Sequence, residues 1–116
     1  MNSEQRNNIF IRDQFICQCC GKHVGAYDTA QVAHRIRKGK QAENHILSYL
    51  WNKYQKDRSR AWVRKYIINN EKNLVSTCNL KCNSSFNIFT MSVKRDALID
   101  LIIEEDQLFS LNTPDK

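Results

Sequence analysis

Cys17 and Cys20 stand as C-x2-C inside CQCCGKH, and Cys78 and Cys82 stand as C-x3-C inside TCNLKCN. A C-x2-C turn presents both sulfurs to one point. Helical residues four apart share a face, so the two pairs can converge on one ion. Four thiolates make a closed tetrahedral set, which marks structural rather than catalytic zinc. Such a clamp ties an early turn to a late helix, and its binding free energy becomes folding free energy. Cys19 is the spare thiol. It is an alternative to Cys17 or Cys20 as ligand, although C-x2-C is the commoner spacing. His23 reads as a surface histidine. A redox role for the C-x-x-C lacks the surrounding βαβ pattern. Five cysteines cannot all pair, which argues against a disulfide framework.

The chain has 116 residues, the size of one modest domain, and a core this small often needs a staple. The opening MNSEQRNNIF has no apolar core of a secretory signal, and no apolar run has membrane-spanning length. The expected compartment is therefore the cytoplasm, where thiols stay reduced. The net charge of +6 is unevenly spread. From Arg35 to Lys65 there are ten basic residues against Glu43 and Asp57, giving +8; the remainder carries eight basic and ten acidic residues, giving −2. A concentrated basic segment on a near-neutral body is the footprint of a polyanion binder.

These residues need positioning elements. Residues 2–12 read as a short helix carrying Ile9 and Phe10, and 13–25 as a strand entering a tight turn with Gly21 and Gly25. TAQVAHRI alternates, with Ala30, Val32 and His34 on one face and Gln31, Ala33 and Arg35 on the other. Residues 42–69 read as two helices broken near 57–59, with Trp51 and Trp62 as core residues. LVST is extended, and Ser76 or Thr77 is the expected cap of a helix starting near Cys78. The last helix spans 91–109 with Ser92 as cap. Val93, Leu98, Leu101, Ile102 and Leu108 lie on or near its packed face.

The ordered set F-x-C-x2-C-G-K, A-H-R-I and N-L-V-x2-C-x3-C-N resembles the HNH endonucleases of the ββα-metal fold. The resemblance covers residues 12–37 and 71–88. It implies a zinc-stapled ββα-metal core (12–37 and 71–90) within a single α+β domain over 1–116, to which the apolar spacing adds a helical insert (42–69) and a C-terminal helix (91–109). It further implies His34 as general base, Asn73 as the asparagine that fixes the loop and helps orient the histidine, and Asn83 as an anchor of a catalytic Mg²⁺ or Mn²⁺. Where much of the family carries an Asp or His metal ligand before the histidine, this chain has Ala33. Asp28 would compensate if its turn brought it close.

The implied activity is metal-dependent endonucleolytic hydrolysis of DNA, of the kind found in phage, mobile-element or restriction-type enzymes. By its chemistry Arg35 or Arg37 would contact phosphate. The basic face of Arg37, Lys38, Lys53, Lys56, Arg58, Arg60 and Arg64 would grip the backbone, with affinity falling steeply in salt. A homodimer would ease two cuts on a duplex. Two rivals come from other classes. One is a catalytically degenerate scaffold that binds DNA or inhibits a nucleic-acid-processing partner. The other is a zinc-stapled interaction module whose basic face takes an acidic protein.

Overall fold

The computed structural model describes residues 3–24 and 30–109. Gly25 and Asp28 lie outside them. The chain is a small α+β fold, in which helices surround one two-stranded antiparallel sheet among the described residues.

Helix α1 (Ser3–Arg12) buries Ile9 and Phe10. It ends on a backbone reversal at Gln14 and Phe15, both at positive φ, where the Phe15 N–H returns to the Phe10 carbonyl. The expected strand over 13–25 does not form. The local turn takes its hydrogen bonds instead, leaving a lone bridge between Ile16 and His23. Gly21 sits at φ +80, a region that favours glycine, and its N–H reaches the Cys17 carbonyl.

Strand β1 (Gln31–His34) pairs with β2 (Leu74–Thr77), matching His34 to Leu74 and Ala33 to Val75. Between them lies the insert. Helix α2 (Lys40–Tyr49) widens into a π turn over Leu50–Tyr54, and α3 (Arg60–Val63) widens likewise over Arg64–Ile68. The break runs from Gln55 to Ser59, and the Ser59 hydroxyl caps α3 by accepting from Trp62 N–H. Helix α4 (Leu80–Ser85) follows β2. Its cap is Asn79, which accepts from Cys82 N–H; Ser76 and Thr77 are spent in the strand, so neither caps it.

The main core lies in the helical half, where Trp62 is fully buried and stacks on Phe109. Trp51, expected in that core, is 54% exposed, because the turn after Tyr49 carries it outward. Helix α5 (Ser92–Glu105) buries Leu98, Ile99, Ile102 and Ile103. Val93 and Leu101 face solvent instead of the core, since the buried stripe runs as adjacent pairs four residues apart. Met91, not Ser92, occupies the cap position, and no side chain caps it. A second, much smaller core gathers Phe10, Cys17, Val24 and Cys78 under the sheet. No helix among the described residues is long and apolar enough to cross a membrane.

Candidate functional site

The two cysteine pairs meet. The sulfurs of Cys17, Cys20, Cys78 and Cys82 all lie within 4.8 Å of one another. Cys20 is 3.5 Å from Cys78, and Cys78 is 3.6 Å from Cys82. A tetrahedral zinc with Zn–S of about 2.3 Å requires sulfur separations of about 3.8 Å. A disulfide would require about 2.05 Å, and all five cysteines are free thiols. The donor set and spacing therefore fit a metal such as zinc. The turn that builds one half is tight: Cys17 N–H donates to the Lys22 carbonyl at 2.7 Å. The other half brackets the start of α4, so Cys78 precedes the helix and only Cys82 lies within it. Cys19 stays outside the group of four, exposed.

The thiols are polarised in opposite senses. Burial disfavours ionisation of Cys17, but the backbone N–H groups of Cys20, Cys19 and Cys78 outweigh it and bring its pKa down to about 6. Cys78 is pushed up by burial and by the Cys20 thiol, and Cys82 by the adjoining Cys78. Crowded sulfurs resist sharing negative charge; a divalent cation among them reverses that preference.

His34 ends β1 at the mouth of two joined cavities. One, of about 190 Å³, is lined by His34, Arg37, Lys38 and Asn83. The other, of about 620 Å³, runs from His34 and Lys38 to Arg64, Lys65 and Asn69 on the insert. His34 Nε2 lies 3.0 Å from Asn69 Oδ1. With that oxygen accepting, the ring is held as the Nε2–H tautomer, and Nδ1 keeps the lone pair. Burial lowers the His34 pKa below its ordinary 6.5; the Asn69 hydrogen bond partly opposes this, and the nearby Lys38 charge adds to it. Burial thus favours the neutral imidazole.

Asn69 escaped sequence reasoning. It sits where the widened α3 helix ends, 35 residues from His34, and NN at a helix end carries no signal of a distant partner. Asn73 does the loop-fixing expected of it but does not touch the histidine. Its amide accepts from Ile36 N–H at 2.8 Å and donates to the carbonyls of Ile36 and Ile68 at 3.0 and 2.8 Å. Asn73→Ala would orphan three buried backbone groups, each costing about 1–3 kcal/mol. We expect a loss of at least about 3 kcal/mol, read as a lower urea midpoint; an unchanged midpoint would remove Asn73 as the brace of this loop.

Asn83 donates to Gln31 Oε1 at 2.8 Å, which leaves its amide oxygen as its offer to a cation. The cavity it shares with His34 has no carboxylate in its lining, and Ala33 is buried, alternating away from the histidine. Mg²⁺ and Mn²⁺ favour carboxylate and water oxygens, so the described residues around His34 do not fit the expected catalytic ion.

The basic residues divide. Arg37 joins the His34 cavity and is braced on the Asn83 and Ser84 carbonyls. Arg35 points to another cleft, with Arg12, Asp13 and Lys72. In the insert, Arg60 and Arg64 both engage Glu43, whose carboxylate is nearly buried. Lys53 is held by Asp100, which also accepts from Tyr49 and Tyr54. Arg58 covers the Trp62 and Phe109 rings, and Lys56 lies over Phe109.

No family model, curated protein or solved structure matches this chain.

Proposed function

We propose that the protein is an HNH-like endonuclease that hydrolyses DNA phosphodiesters, stapled by zinc at Cys17, Cys20, Cys78 and Cys82. The observation that carries this reading is His34, hydrogen-bonded to Asn69 and lining a cleft with Lys38, Arg64 and Lys65. Two further features support it. The antiparallel strands β1 and β2 are followed by α4, the order a ββα unit needs. The four-cysteine cluster sits at the base of that unit. In this reading His34 Nδ1 takes a proton from water, the water oxygen bonds to phosphorus, and the bond to the leaving sugar oxygen breaks. That oxygen takes a proton from solvent. Lys38 and Arg37 neutralise the phosphate charge as it builds. No step is assigned to Mg²⁺ or Mn²⁺.

The primary test is nicking of supercoiled plasmid by zinc-loaded protein beside His34→Ala. The pH profile tests the base itself. The folded pKa of His34 lies below 6.5, so the basic form persists on acidification until the lowered value is crossed. Removing the Lys38 charge should move the acid limb of kcat/KM upward, and Asn69→Ala should move it downward. Limbs that coincide in all three proteins would place the titrating group elsewhere. The same shift governs stability. Above 6.5 its contribution is fully present; it is lost as pH falls from 6.5 to the lowered value, because there the unfolded chain binds the extra proton.

The degenerate scaffold is favoured by one observation, the missing carboxylate around His34. It predicts a plasmid that is retained and never nicked.

A further inference from the structure

The cleft beside His34 holds cations that the protein itself leaves unspent. Several strongly basic groups near the insert are held by an internal carboxylate: Lys53 by Asp100, Arg60 and Arg64 by Glu43, and Lys72 by Asp106. Lys38 makes no ion pair or hydrogen bond among the described residues. Lys65 meets only the Tyr66 ring face, 5.2 Å from its centroid. Both line the larger cavity together with His34 and Asn69, and no carboxylate lines it. Lys38 comes from the turn after β1 and Lys65 from the widened part of α3, so the insert supplies one wall and the sheet the other. Two unpaired ammonium groups around a neutral imidazole form an anion site. A dication is repelled there, whereas a phosphate gains from both lysines directly.

We propose that this cleft seats a DNA phosphodiester by direct contact with Lys38 and Lys65, with no divalent cation between phosphate and protein. The proposal rests on the reading of DNA as substrate, and it departs from the basic face expected around the helix break. The phosphate enters between the two ammonium groups and lies against His34, where Asn69 and Gln5 offer amide groups along the cleft wall. The insert then acts as the substrate wall of the site rather than as a separate grip.

The test is fluorescence anisotropy of zinc-loaded protein with a short labelled duplex across a salt series, without added divalent ion and again with Mg²⁺. Lys38→Ala and Lys65→Ala should each flatten the slope of log Kobs against log salt by about one unit. Lys94→Ala, at an exposed position on α5, should leave it unchanged. Binding should not require Mg²⁺, and in each metal condition the two variants should fall below the parent slope. Unchanged slopes in both cleft variants would overturn the seat, as would binding that appears only with Mg²⁺. Plasmid nicking separates the two readings. Flattened slopes without nicking keep the seat and remove the hydrolase; nicking with unflattened slopes does the reverse.

Discussion

Serine in place of Cys78 is expected to unfold the half of the molecule built on the four-cysteine cluster. Cys78 lies between the other sulfurs, close to both Cys20 and Cys82, and is itself buried. The core around it is Phe10, Cys17, Val24 and Cys78, too few side chains to hold α1 and the sheet without help. Structural zinc contributes about 10–16 kcal/mol in small zinc-binding peptides, as much as the whole stability of a typical domain, about 5–15 kcal/mol. Losing one thiolate of four removes much of that and leaves a buried hydroxyl. The expected result is loss of bound zinc by elemental analysis and loss of part of the thermal transition by circular dichroism, the helical half keeping its own core. Cys19→Ser, outside the cluster, should keep both. A Cys78→Ser protein that melts like the parent and keeps its zinc would show that the cluster is no metal centre.

His34→Ala is expected to lower plasmid nicking by about 10²–10⁴-fold, the usual worth of a general base. The substitution removes a half-buried ring whose side-chain hydrogen bond among the described residues is to Asn69, so the fold should survive with its melting transition intact. Retention of the duplex should also survive, since the proposed phosphate seat is made by Lys38 and Lys65 rather than by the imidazole. Parent and variant are compared with Mg²⁺, with Mn²⁺ and without either, with zinc content checked in each arm so that chelation of the staple is not read as loss of a catalytic ion. Equal nicking by parent and variant would place the base elsewhere. Folded parent that retains plasmid and never nicks it would leave the binding scaffold as the function.

The cysteine pairs, the two-helix insert and the site histidine were legible in the chain because their signals are local. Ligand spacing within one turn, apolar spacing along one helix and alternation along one strand are all set by neighbours a few residues away. The alternation that puts His34 and Ala33 on opposite faces could likewise be read, whereas the burial of Ala33 came from the fold. What the sequence by itself determined is therefore the meeting of the four cysteines, the helices of the insert and the strand that carries His34, but not the strand expected over 13–25, whose hydrogen bonds a local turn takes. Only the tertiary structure decided what each polar group does. Asn69 reaches His34 across 35 residues, Arg64 reaches Glu43 across 21, and Lys53 reaches Asp100 across 47. Long flexible cations look alike in a sequence. Which of them are spent on an internal carboxylate, and which remain for a phosphate, depends on what the folded chain brings within hydrogen-bond reach.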